Sequence, residues 1–77
     1  MAMLLNLYST SHCHLCELAF SILMQVPDDI EVRLIDIADD DTLLALYGLH
    51  IPVLQRTDSM MELHWPFSVI NIIEFIK

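Results

Sequence analysis

Two cysteines, Cys13 and Cys16, stand three residues apart between an apolar run and a segment with helical periodicity. They limit what this chain can be more than any other feature. Residues i and i+3 at a helix start lie on the same side of its first turn, close enough for two sulfurs to bond. The first cysteine then sits where backbone N–H groups lack helical partners and the helix dipole is positive. Both features favour a thiolate, the form that attacks a disulfide. The spacing predicts Cys13 as the exposed nucleophile and Cys16 as a more buried resolving thiol. A Cys-x-x-Cys pair can also bind metal or be inert, so its surroundings must decide.

Residues 1–77 read as one domain, near the small end of what folds alone. The chain is apolar enough to manage it, with 56% hydrophobic and 18% charged residues. One glycine and three prolines leave no room for a flexible linker. No apolar run reaches the ~18 residues of a membrane span, so no membrane partner is expected. Met1 to Leu7 has neither a basic leader nor a cleavage pattern and reads as a first strand. The expected compartment is cytoplasmic, where a cysteine pair is more often catalytic or metal-binding than a structural staple. Three basic residues face eleven acidic ones, a formal charge of −8, which argues against a nucleic-acid partner. The acidity serves solubility. As a sharper expectation, it disfavours anionic ligands and favours a basic protein. The densest acidic point, Asp39-Asp40-Asp41, reads as a helix cap and dipole complement, with a cation site as the alternative.

Met3 to Tyr8 is nearly continuous in apolar residues, as in a central strand covered on both faces. Ser9 to His12 is a polar turn. A first helix is predicted from Cys13 or His14 to Val26, with Leu15, Leu18, Ala19, Ile22 and Val26 as its buried stripe. Pro27 stops it. Glu31 to Ile37 is the second strand, with Val32 and Leu34 facing one way and Arg33, Ile35 and Ile37 the other. A short helix from Asp40 to Tyr47 buries Leu43, Leu46 and Tyr47, and Gly48 is expected as its left-handed C-terminal residue. A third strand starts at Ile51-Pro52 and runs to Arg56. Thr57-Asp58-Ser59 turns the chain into a fourth strand, Met60 to Trp65, with Met61, Leu63 and Trp65 on one face and Met60, Glu62 and His64 on the other. Ser68 caps a last helix whose stripe is Val69, Ile72, Ile73 and Ile76. The order is β-α-β-α-β-β-α: an α/β fold with a four-stranded mixed sheet and helices on both faces. The last hairpin must be antiparallel, because three residues cannot make a parallel crossover.

That order, with Cys-x-x-Cys after the first strand and Ile51-Pro52-Val53 before the third, resembles glutaredoxin, a minimal thioredoxin fold. More narrowly, three stretches resemble a family of small bacterial glutaredoxin-like proteins. They are Cys13-His14-Leu15-Cys16, Tyr47-Gly48-Leu49-His50-Ile51-Pro52-Val53-Leu54 and Glu62-Leu63-His64-Trp65-Pro66-Phe67, and the resemblance spans essentially the whole chain. It implies a thiol–disulfide oxidoreductase in which Cys13 attacks a substrate disulfide and Cys16 resolves the mixed disulfide. It also implies a cis-proline at Pro52 facing the disulfide, with Ile51 offering its backbone to a bound peptide or glutathione. The sequence alone would make Pro52 trans, as most such bonds are. The implied partners are a disulfide-containing protein or small thiol and a reductase; no cofactor is required. The chain also departs from glutaredoxins. His14 and Leu15 replace the usual proline and tyrosine, no lysine precedes Cys13, and Trp65-Pro66-Phe67-Ser68 stands where a glycine pair and an aspartate usually hold glutathione. These departures weigh against glutathione without removing it.

His12, His14 and, by the fold, His50 are candidates for tuning Cys13. A protonated imidazole would stabilise the thiolate, and Glu17 would oppose it. The plainer reading of each is a solvated loop residue. Two other functions fit the same residues. One is zinc or iron–sulfur binding through the cysteine pair, completed by His50 or by a second chain, since His12, Cys13 and His14 are too close in sequence to converge on one tetrahedral centre. The other is a non-catalytic interaction module presenting Trp65, Phe67 and Met60–Met61, although Trp65 and Phe67 are expected in the core.

Overall fold

In a computed structural model describing residues 2–77, the strands are β1 (Met3–Ser9), β2 (Ile30–Asp36), β3 (Val53–Arg56) and β4 (Glu62–His64). The helices are α1 (His14–Leu23), α2 (Asp41–Tyr47) and α3 (Val69–Phe75), with a 3-10 turn at Ile37–Asp39. Met1 lies outside the described residues. The sheet order is β2-β1-β3-β4, with β1 parallel to β2 and antiparallel to β3, and β3 antiparallel to β4. The four-stranded mixed sheet and the element order are those expected from the sequence.

Strand alternation divides the core in two. Leu5, Leu7 and Leu54 point to one face and are buried with Ala19, Leu23 and Val26 from α1 and its exit, and with Phe67 and Ile72 from the α3 side. Tyr8 and Val53 point to the other face and are buried with Ile37, under Leu43 and Tyr47 of α2. Helices therefore cover both faces.

The caps follow the sequence. Asp40 accepts the N–H groups of Thr42 and Leu43 at 2.9 and 3.1 Å, so the acidic run serves as a helix cap. Ser68 and Asn71 close a reciprocal capping box at the start of α3. Ile72 is fully buried in α3, with Val69, Ile73 and Ile76 packed beside it.

Six expectations are corrected. The buried stripe of α1 is Cys16, Ala19 and Leu23, extended by Val26, while Leu15 and Leu18 are exposed. The helix is apolar on several sides, and the sheet selects the side that carries Cys16. The helix ends at Leu23, because i→i−3 bonds from Gln25 and Val26 tighten the exit before Pro27. Ile37 leaves the second strand, since Asp36 accepts the Ala38 N–H at 2.9 Å and caps a 3-10 turn. Leu46 is exposed on α2, and Gly48 is right-handed at φ −53°. A Cβ at Gly48 would lie 2.5 Å from the Leu44 carbonyl oxygen, so close approach, not a left-handed turn, is what demands glycine there. The fourth strand is only three residues long, because Met60 adopts φ 64° and the turn closes through bonds between Arg56 and both Met60 and Met61.

Candidate active site

β1 ends at Ser9, and a turn through Ser11 and His12 delivers Cys13 to the start of α1. His12 takes φ 61°, the left-handed region, which reverses the chain just before the helix. Cys13 occupies the N-cap, with extended backbone at φ −98°, ψ 103°, and its Sγ accepts the Cys16 N–H at 3.1 Å. A sulfur thus takes the place of the usual serine or aspartate oxygen. Its own carbonyl accepts the first helical bond, from the Glu17 N–H at 3.1 Å. The Cα atoms of Cys13 and Cys16 are 5.2 Å apart, and the two sulfurs are joined in a disulfide. Cys16 is only 6% exposed, because it shares a stripe with Ala19 and Leu23; Cys13 is partly exposed.

Strand register brings the other candidates to this end of the sheet. Tyr8, the penultimate residue of β1, pairs with Val53, the first residue of β3. Pro52, which is buried, therefore lies at the end of the sheet from which Cys13 follows. The Ile51–Pro52 peptide bond is cis, and so is Trp65–Pro66. Ile51 packs against the cluster of Tyr8, Ile37 and Val53.

A cleft of about 310 Å³ opens beside the disulfide, lined by Ser9 through Cys13, Cys16, Glu17, Phe20 and Leu34. Of the three histidines singled out, only His12 borders it. His14 is exposed, with Nδ1 3.9 Å from Glu17. His50 instead faces His64, with ring centroids 6.1 Å apart. Trp65 and Phe67 do not make an exposed patch: Phe67 is core, and Trp65 packs edge-on to it at 5.1 Å. Met60 and Met61 are exposed.

Sequence reasoning missed Phe20 and Leu34 as cleft residues. It also missed a polar chain behind the site. Tyr8 donates to the Oε1 of buried Gln55 at 2.6 Å and stacks on Tyr47 at 4.4 Å. Tyr47 in turn donates to Glu62 at 2.5 Å, and His64 lies 3.0 Å from the same carboxylate. The hydrogen bond to Glu62 pushes the Tyr47 phenol up from its usual value. The Tyr47 and His64 contacts hold the Glu62 carboxyl below its own. Alternation puts Glu62 and His64 on one strand face, but the aromatic partner 15 residues away carries no local signal.

Among the described residues, no three His, Cys, Asp or Glu side chains group to hold a metal ion. No helix is long and apolar enough to cross a membrane.

The chain is similar to several solved structures. It is 35% identical to protein XcR50 from X. campestris in its X-ray structure, covering 92% of each chain with a TM-score of 0.84. Protein Ne2328 from Nitrosomonas europaea is 28% identical, over 100% of this chain and 94% of that one, with a TM-score of 0.79. Thioredoxin 1 from Thermosipho africanus shares the fold at 18% identity and a TM-score of 0.69, over 96% of this chain and 90% of that one. No curated protein sequence matches. A family model, the glutaredoxin-like domain (DUF836), matches residues 4–77. With the paired cysteines at the head of α1, the mixed sheet and this match, the chain belongs to the glutaredoxin-like domain family.

Proposed function

We propose that the protein is a thiol–disulfide oxidoreductase acting through Cys13 and Cys16. The Cys13 thiolate attacks one sulfur of a substrate disulfide. A Cys13–substrate disulfide forms, and the other substrate sulfur leaves as a thiolate that takes up a proton. The Cys16 thiol then loses its proton and attacks Cys13 Sγ. This expels the second substrate thiolate and leaves the Cys13–Cys16 disulfide. The substrate has gained two electrons from the protein, and a dithiol reductase or a pair of small thiols, itself oxidised to a disulfide, supplies two more to reduce Cys13–Cys16 again. Ile51 and Pro52 present the substrate, Ile51 through its backbone. His12, the candidate histidine at the cleft, supplies any favourable charge to the Cys13 thiolate, in preference to His14 or His50. A reducing cytoplasm is the compartment in which the cycle would turn over.

The observation that carries this reading is the N-cap geometry of Cys13. One sulfur is partly exposed, receives a backbone N–H and borders a cleft, while its partner is buried at bonding distance. The test is a redox titration in buffers of set potential, with alkylation trapping and mass readout. A reversible two-electron transition between about −180 and −300 mV is expected. A pair that stays reduced across that range, or is blocked by bound metal, would overturn the reading.

A further inference from the structure

The cleft beside the cysteines has a flank that the exchange steps above leave unused. Phe20 and Leu34 line it and are 36% and 57% exposed. Leu34 shares its sheet face with Ile30 and Val32, which pack against the core, but it lies nearer the cysteine end. β2 is an edge strand, and among the described residues no strand lies beyond it to cover Leu34. Two large apolar side chains thus stand open to water within one concavity that Cys13 and Cys16 also line.

Apart from His12, which also lines the cleft, and His14 beside Glu17, the titratable side chains around this concavity are acidic. Glu17 lines it, and Asp36 is the register partner of Ser9. The chain's three cations lie elsewhere. Arg33 pairs with Asn6 and so points to the opposite face from Leu34. Arg56 sits at the far end of β3, held by Asp58 and by the carbonyls of Phe75 and Lys77. Lys77 belongs to that same corner.

We propose that this cleft selects the substrate: it seats a polypeptide segment whose oxidised cysteine has an apolar neighbour, resting against Phe20 and Leu34, and a basic neighbour, meeting Glu17. The assignment rests on the oxidoreductase reading and adds the substrate class to it. Covering Phe20 and Leu34 supplies attraction through apolar burial. Glu17 supplies discrimination, because charge complementarity acts on approach and on wrong partners alike. An anionic small disulfide such as oxidised glutathione offers neither feature. A polypeptide of the stated kind offers both.

Three ten-residue peptides test this, each with one cysteine blocked as a thiopyridyl disulfide. The residues flanking the cysteine are Leu and Lys, Leu and Glu, or Ser and Lys. Thiopyridone release by the reduced protein gives each rate. Every rate is divided by that for hydroxyethyl disulfide, so that changes in the thiolate itself cancel. The Leu/Lys peptide should react about fivefold faster than Leu/Glu at moderate salt and about fivefold faster than Ser/Lys. Glu17→Lys should reverse the charge preference. Leu34→Ser should bring Leu/Lys down to Ser/Lys on the same relative scale. Both side chains are exposed, so the variants keep the core. Equal relative rates for the three peptides, or a lysine preference that survives Glu17→Lys, would overturn the proposal while leaving the oxidoreductase reading standing. Failure to reduce hydroxyethyl disulfide would overturn that reading itself, and this proposal with it.

Discussion

Under α1 and α3 the sheet buries a hydrocarbon centre, with Leu5, Leu7 and Leu54 locked against Ala19, Leu23, Phe67 and Ile72. Under α2 it presents Tyr8 and Val53 around Ile37, with a fringe of polar groups: Asn6, Gln55, Tyr47, Glu62 and His64. One buried oxygen on that side, Asn6 Oδ1, has no partner among the described residues. The two sides hold the site in different ways. Hydrophobic burial is non-directional and scales with area, so the first side fixes α1, and the cysteines at its head, by bulk. The second side works through a few directed contacts, which fail when one atom is removed or one proton moves.

The largest difference should appear on cutting the same side chain on each face. Leu54 is fully buried on the hydrocarbon side, whereas Leu43 is half-buried on the other. Leu54→Ala should cost about 2–5 kcal/mol, from lost transfer energy and the cavity left behind. Leu43→Ala should cost about 1 kcal/mol, because less area is lost and solvent can relax into the gap. Urea unfolding of both variants measures this directly. Equal losses would mean that α2 is held as firmly as α1 and would dissolve the contrast.

A smaller effect separates directed from bulk stabilisation. Tyr8→Phe keeps the ring and its stack on Tyr47 but removes the hydroxyl that donates to buried Gln55. The Gln55 oxygen is then left without its donor, at a cost of about 1–3 kcal/mol. Replacing both partners, as Tyr8→Phe with Gln55→Leu, should recover most of that loss, since no orphaned group remains. Non-recovery in the double variant would place the stabilisation in packing rather than in the hydrogen bond.

These contrasts also explain what the sequence made legible. The caps were readable because they are local: Asp40 and Ser68 each bond N–H groups within three residues. The cysteine pair was readable for the same reason, and so was the burial of Cys16. The phase of α1 was not, because Leu15 and Leu18 compete with Cys16 and Leu23 for the buried side, and only the sheet beneath the helix decides. Leu34 has the composition of a core residue; its place in the cleft follows from β2 being an edge, which strand order determines and alternation alone does not. Gly48 was read from its φ preference, whereas its constraint is a carbonyl of the preceding turn. The Tyr47–Glu62 contact joins a helix to a strand across 15 residues, and neither residue type announces such a partner.

That contact gives the smallest effect, and a test that only the polar face can pass. The Tyr47 hydroxyl donates to an ionised Glu62, so the bond needs the phenol protonated and the carboxyl deprotonated. The Glu62 pKa lies below the usual 4.5 in the folded protein, chiefly through Tyr47 and then through His64. A depressed pKa contributes stability that is present above 4.5 and is lost as pH falls through the lower, folded value. Tyr47 lies above its usual 10.0, so its contribution is present below 10.0 and is lost as pH rises toward the folded value. Tyr47→Phe should therefore lower stability by no more than about 1 kcal/mol near neutrality, as exposed charge-assisted contacts do. The difference from the parent protein should stay flat between about pH 6 and 9 and shrink beyond the acid and alkaline edges. Leu54→Ala, on the hydrocarbon side, should show a loss with no such window. Denaturation midpoints measured across pH for the two variants check both statements. A pH-independent loss in Tyr47→Phe would make that face a second apolar core in which the tyrosine matters only for its ring.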